Sequence, residues 1–195
     1  MSCYTHGELA ALGLGGFGKD VRLSRKASLY NPGNIFLGDH VRVDDFCVLS
    51  AGAGGIEIGN YIHIAVFSSL IGAGRIEVRD FANLSSRVSI YSSNDDYSGR
   101  FMTNPMVPSA FTGVSHADVV IGRHVIVGCG TVILPGAVLE EGAAIGSLSL
   151  IKNGFTCRAF GTYVGVPARR IGDRSRHLLE VEKEFRASLT KSGSP

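Results

Sequence analysis

Between Ile121 and Ile151 an aliphatic residue returns at every sixth position: Ile121, Val127, Ile133, Leu139, Ile145 and Ile151. Glycine follows three of them, at Gly122, Gly128 and Gly146. Small or β-branched side chains form a second row four places on, at Val125, Thr131, Ala137, Ala143 and Ser149. A helix repeats every 3.6 residues and a simple strand every two, so a period of six fits neither. It fits a solenoid of short strands, in which each unit turns one corner and sends its first residue inward. Three units close a triangular coil, and stacked coils join the aliphatic positions into one core.

Upstream, three further sets keep the same spacing: Leu37, Val43 and Leu49; Ile58, Ile64 and Leu70; Val78, Leu84 and Ile90. Each set starts about twenty residues after the last, one coil plus a small corner insertion such as Gly72-Ala73-Gly74. The spacing therefore predicts three coils before residue 91 and nearly two after 121, about five in all. Residues 92–120 interrupt the repeat. A structureless segment of that length in a compact domain is usually functional, and its Phe101, Met102, Met106, Val107 and Phe111 call for a surface to pack on.

The ends differ from the middle. Thr5 and Glu8 have capping-box spacing ahead of Leu9, Leu12 and Leu14, which predicts a short helix closing the first coil. Val21 to Leu23 and Ala27 to Leu29 suggest irregular lead-in strands. Leu178, Val181, Phe185 and Leu189 recur at helical spacing, so residues 175–189 are predicted helical, with Lys183, Glu184 and Arg186 toward water. The last five residues are expected to fray. The chain thus divides into a cap (1–34), a solenoid (35–171) with its insertion at 92–120, and a C-terminal helix and tail (172–195).

A length of 195 residues suits one domain with a real core. The 26 glycines and absence of tryptophan agree with tight corners. A net charge of +2 without a basic block leaves no electrostatic footprint for nucleic acid. No apolar run approaches the roughly 18 residues of a membrane span, and no signal peptide is visible, so membrane insertion is not expected. The four cysteines lack CxxC or disulfide-framework spacing; Cys47 and Cys129 fall inside the repeat as small apolar residues, and a reducing cytoplasm is the simplest home.

The repeat, together with the ending Gly165-Val166-Pro167-Ala168-Arg169-Arg170-Ile171, resembles the hexapeptide-repeat acyltransferases. The resemblance implies an all-β fold, a left-handed parallel β-helix that reverses the usual right-handed crossover. It also implies acetyl-CoA as co-substrate, no metal, and a homotrimer with active sites between subunits. The Gly-x-Pro-Ala-Arg ending would place Pro167, Arg169 and Arg170 at the adenine and 3′-phosphate, where guanidinium pairs with phosphate in a planar, two-pronged way. Gly128, Gly130, Ala144, Gly146 and Ser147, with Lys152, would follow the pantetheine arm, although coil packing alone also asks for small residues at some of these positions.

In the galactoside and maltose acetyltransferase branch a histidine follows the coil strand just before the loop. Here Ile90-Tyr91-Ser92-Ser93-Asn94-Asp95 puts Asp95 at that place. An ordinary carboxylate is a poor base for an alcohol but can anchor and deprotonate an amine. Residues 91–105 resemble the branch that acylates amino-dideoxyhexoses on dTDP. That resemblance implies an N-acetyltransferase acting on a nucleotide-linked amino sugar, of the kind used in O-antigen and lipopolysaccharide biosynthesis. Asp95 is the first candidate for catalysis and His63 the second. His63 immediately precedes the inward Ile64 and so points outward, and Asn83 holds the same position one coil on. Asn83, Asn94, Asp96, Tyr97 and His116 complete the expected acceptor contacts, with His63 of one subunit facing Asp95 of another. Other readings are an O-acetyltransferase with His63 as base, a zinc carbonic anhydrase using His63, His116 and His124, and a β-helix scaffold without activity.

Overall fold

The computed structural model describes residues 2–192, with side chains through 189. Three parallel sheets run the length of the molecule and form the sides of a triangular solenoid. The first sheet stacks Gly16–Phe17, Ile35–Leu37, Ile56–Ile58, Ile76–Val78, Val119–Ile121, Val138–Leu139 and Thr156–Cys157. The second stacks Arg22–Leu23, Arg42–Val43, His63–Ile64, Asn83–Leu84, Ile126–Val127, Ala144–Ile145 and Gly161–Gly165, to which Ala168–Asp173 adds antiparallel. The third contains Ser28–Tyr30, Val48–Ala51, Ser69–Gly72, Ser89–Tyr91, Val132–Ile133 and Leu150–Ile151.

These strands make about seven turns rather than the five expected. The first lies within the segment assigned to the cap: Phe17, Leu23 and Leu29 keep the period of six, but an aromatic residue opens the set. At the other end Cys157 and Tyr163 continue the period without being aliphatic, and both are buried. The core is the inward row together with the row four places on. Val41, Cys47, Ile62, Ser68, Val88, Val125, Thr131, Ala137, Ala143 and Ser149 are all within 2% of complete burial. Cys129 is exposed, contrary to expectation, because it stands two places after inward Val127 and so falls on a corner.

At the corners the residue three places after an inward one adopts positive φ. His40, Phe46, Tyr61, Phe67, Phe81, Arg87 and His124 all lie between +56° and +63°. Repetition of that bend in each coil stacks their side chains. His40, Tyr61, Phe81 and His124 form one ladder, with centroids 4.6–5.1 Å apart. Phe46 and Phe67 form another, flanked by Lys26 and Arg87.

The capping box of Thr5 and Glu8 starts helix α1 (His6–Ala11), and Glu8 also pairs with Arg25 of the first coil. Helix α2 (Leu178–Ser192) begins three residues later than expected and lies over the first ladder, with Phe185 edge-on to Tyr61 and Phe81. Glu182 fixes it there by accepting hydrogen bonds from Arg123, His124 and Arg186. The expectation of fraying concerns a tail of which residues 193–195 lie outside the described structure.

The insertion is not structureless. Ser93–Asn94 pairs antiparallel with Ser115–His116, and Met102 bridges Thr112, so the segment folds into an arm. Phe101, Met102, Met106 and Phe111 remain more than half exposed on it, so the chain itself does not supply the expected packing surface.

Candidate functional site

Each two-residue strand of the second sheet sends one side chain out and the next in. Because the strands pair in register, the outward residues form a single row: Arg22, Arg42, His63, Asn83, Ile126, Ala144 and Thr162. Successive members are about 4.8 Å apart. His63 and Asn83 are therefore direct neighbours on one face, as their spacing predicted.

Below them lies a pair the sequence did not single out. Asp44 accepts a hydrogen bond from Arg42 Nε at 2.7 Å and lies 2.9 Å from His63 Nε2. Burial alone pushes the Asp44 carboxyl up, but the hydrogen bonds from His63 and Arg42, and their charges, outweigh it and hold it below the usual carboxylate range. An ionised Asp44 fixes the imidazole through Nε2 and leaves Nδ1 for a reaction partner. This is the arrangement of a base with its orienting group. His63 also lines a cavity of about 310 Å³ with Asp20, Arg22, His40, Arg42 and Tyr61. A larger hollow of about 780 Å³ runs along the first sheet and includes none of the candidate residues.

The arm carries the remaining acceptor candidates. Asp95 is exposed, and its side chain forms no hydrogen bond or ion pair among the described residues. It follows a strand of the third sheet, whereas His63 and Asn83 stand on the second, and within one chain no hydrogen bond among the described residues joins them. Asp96 accepts from the Ser98 hydroxyl and from the backbone N–H groups of Ser98, Arg100 and Phe101, so its carboxylate shapes the turn of the arm. Those bonds, the Ser98 hydroxyl first, hold its pKa low. The Asn94 carbonyl accepts from the Ser115 hydroxyl, Tyr97 is 89% exposed, and His116 Nδ1 lies 2.8 Å from the Ser93 hydroxyl.

The histidines of the zinc reading do not converge. His63 faces Asp44, His116 faces Ser93, and His124 lies 2.6 Å from Glu182 under α2.

Toward the C-terminal end, the cofactor candidates separate by what they touch. A Cβ on Gly128 would sit 2.5 Å from the Ser147 nitrogen, one on Gly130 2.7 Å from Leu148 Cδ2, and one on Gly146 2.6 Å from Val164 Cγ1. Coil stacking by itself requires Gly128, whose clash is with backbone, whereas Gly130 is set by its φ of +70° and Gly146 would clash only with a side chain. Ala144 is half-buried in the outward row, and Ser147 and Lys152 are exposed. Val166 and Pro167 form the turn of a hairpin that pairs Gly165 with Ala168, Val164 with Arg169 and Tyr163 with Arg170. Arg170 is engaged by Asp173, whereas exposed Arg169 forms no ion pair among the described residues. A flexible phosphate-bearing chain can run over this stretch of small residues toward Arg169.

No model of a known protein family matches the chain. Its sequence is 54% identical over 181 residues to a dTDP-4-amino-4,6-dideoxy-D-glucose acyltransferase of Escherichia coli, covering 93% of each chain. In structure it superposes with TM-score 0.91 on a serine-to-cysteine variant of AntD, an N-acyltransferase from Bacillus cereus, in complex with dTDP-4-amino-4,6-dideoxyglucose and coenzyme A. That match has 41% identity and covers 96% of this chain and 98% of the other. AntD with dTDP and 3-hydroxybutyryl-CoA gives TM-score 0.90 at 40% identity, covering 97% and 98%.

Proposed function

The chain belongs to the hexapeptide-repeat acyltransferases, whose coils wind left-handed, and from that premise we propose that it moves an acyl group from coenzyme A to the amino group of a dTDP-linked amino-dideoxy sugar. The observation that carries this reading is the 54% identity, across nearly the whole of both chains, to an acyltransferase of dTDP-4-amino-4,6-dideoxyglucose.

The chemistry asks little of the protein beyond positioning and one proton acceptor. The neutral amine attacks the thioester carbon, the C–S bond breaks, and coenzyme A leaves as the thiol. Coil backbone N–H groups facing the thioester oxygen stabilise the charge that develops there. His63, oriented by Asp44, takes a proton from the attacking nitrogen and returns it to the departing sulfur, and Asn83 holds the sugar beside it. Asp95 of a neighbouring copy in a trimer closes the site and attracts the amine as its ammonium form. Among the described residues no helix is long and apolar enough to cross a membrane, and a cytoplasmic enzyme fits a coenzyme A thioester as donor.

Thiol release from acetyl-CoA and from 3-hydroxybutyryl-CoA tests the reading, with the dTDP-amino sugar and its hydroxyl analogue side by side. Turnover with the amine alone is expected. Turnover confined to the hydroxyl sugar would overturn N-acylation and make the chain an O-acyltransferase.

A further inference from the structure

The outward row of the second sheet continues below His63 with two arginines, and the reaction as proposed gives their terminal guanidinium nitrogens no task. Arg42 lies one coil from His63 and Arg22 one coil further, in register. They lean to opposite ends of their strands, each toward an aspartate two places away, before Arg22 and after Arg42. Arg22 donates through Nε to Asp20 at 3.2 Å, and Arg42 donates through Nε to Asp44 at 2.7 Å. Each of these aspartates also faces a histidine, Asp20 with His40 at 3.0 Å and Asp44 with His63 at 2.9 Å. Each arginine is thus tied to an aspartate–histidine pair, although the pairs differ, His40 standing at a corner and His63 in the outward row. In both the carboxylate takes the Nε edge and leaves the two terminal guanidinium nitrogens without a bond among the described residues. Both side chains are at least half exposed and line the cavity that also contains His63.

We propose that Arg22 and Arg42 form a clamp for the diphosphate of the acceptor, an inference that rests on the nucleotide-sugar reading above. The repeat of the coil sets their strands about 4.8 Å apart, so long side chains from both can reach one diphosphate. Guanidinium binds phosphate oxygens in a planar fork, and a guanidinium already held at Nε loses less freedom on doing so. The order along the row follows the order of groups in the substrate. Asn83 and His63 meet the amino sugar, Arg42 and Arg22 meet the phosphates, and the nucleoside lies toward the first coil. Asp20 and Asp44 cancel the formal charge of the two arginines, so the clamp acts through directed bonds rather than through a long-range positive field.

The experiment is calorimetric titration of the full chain with dTDP and with thymidine, for the unaltered protein and for Arg22→Gln, Arg42→Gln and Arg42→Lys. Steady-state KM values for the dTDP-amino sugar and for acyl-CoA accompany it. Each glutamine variant is expected to weaken dTDP by about tenfold or more, to leave thymidine binding and the KM for acyl-CoA unchanged, and to raise the KM of the acceptor more than it lowers kcat. Lysine at position 42 should recover part of the loss. Glutamine variants that bind dTDP within about twofold of the unaltered protein would overturn the clamp and leave the acyltransferase standing. Equal losses of dTDP, thymidine and acyl-CoA would show a structural role and also overturn it. An unaltered protein that neither binds dTDP nor turns over the amino sugar would overturn both readings. Arg22, exposed on the first coil, keeps the test decisive if Arg42→Gln folds poorly.

Discussion

On the inner face of the second sheet Leu23, Val43, Ile64, Leu84, Val127 and Ile145 follow one another, none more than 3% exposed. On the outer face, one residue earlier in each strand, the row runs Arg22, Arg42, His63, Asn83, Ile126 and Ala144. Every coil sets its inner residue the same packing problem, so the answer hardly changes. The outer residues answer to whatever lies against them, and their character changes at the point where the arm interrupts the repeat. Before the arm they are cationic and polar; after it they are apolar or small. On the proposed function, the first half of this sheet face would meet the charged, hydrogen-bonding acceptor and the second the long, thin acyl carrier.

Substitutions at adjacent positions separate the two faces. Leu84→Ala should cost about 2–5 kcal/mol, as large-to-small changes in a packed core do. For a chain of this size each kcal/mol lowers Tm by roughly 2–4 °C, which scanning calorimetry resolves. Asn83→Ala, one residue away, should stay within about 0.5 kcal/mol of the unaltered protein while lowering kcat/KM for the amino sugar. If Asn83→Ala melted as early as Leu84→Ala, the division between faces would be lost. If it kept full activity, the acceptor would lie elsewhere.

A smaller effect sharpens the comparison within the outer half that follows the arm. Gly128→Ala forces a methyl against the Ser147 backbone, and overpacking of this kind costs about 1–3 kcal/mol. Its Tm should fall whether or not acyl-CoA is present, with acyl-CoA affinity falling in step as the next coil shifts. A variant that melted normally but bound acyl-CoA poorly would assign Gly128 to recognition instead of packing.

The inner face was legible in the sequence because burial imposes a period. The limits of that reading were compositional: the coil of Phe17, Leu23 and Leu29 and the turn through Cys157 and Tyr163 keep the spacing but not the aliphatic character. The stacking of His63 and Asn83 was legible too, since an outward position is fixed once its inward neighbour is known. Asp44 was not. It stands two places after Arg42, beyond inward Val43, and meets His63 because the coil brings His63 into register with Arg42. The spacing places Asp44 near that row, but the bond to His63 depends on side-chain reach that the repeat does not specify. The arm carries no period at all, so Asp95 could be placed by resemblance but not by spacing, and its carboxylate cannot meet His63 of the same chain through any bond among the described residues.

The smallest effect on stability, and the most informative about mechanism, belongs to Asp44→Asn. In the folded protein the Asp44 carboxyl is held below its ordinary range by His63 and Arg42. A carboxylate with a depressed pKa stabilises the fold fully above its unfolded value, about 3.9, and loses that contribution as pH falls through the lower folded value. Asparagine has no such contribution. The difference in Tm between the two proteins should therefore be constant from neutral pH down to about 5 and should close in stronger acid. Activity should respond differently, because His63 loses the group that orients it without losing its own nitrogens. kcat at neutral pH is expected to fall by less than the roughly hundredfold that loss of a general base costs, with the KM for acyl-CoA unchanged. If kcat were unaffected while Tm fell as expected, Asp44 would be a structural partner of Arg42 alone, and the proton would leave the amine by another route, with Asp95 of a neighbouring copy the next residue to replace.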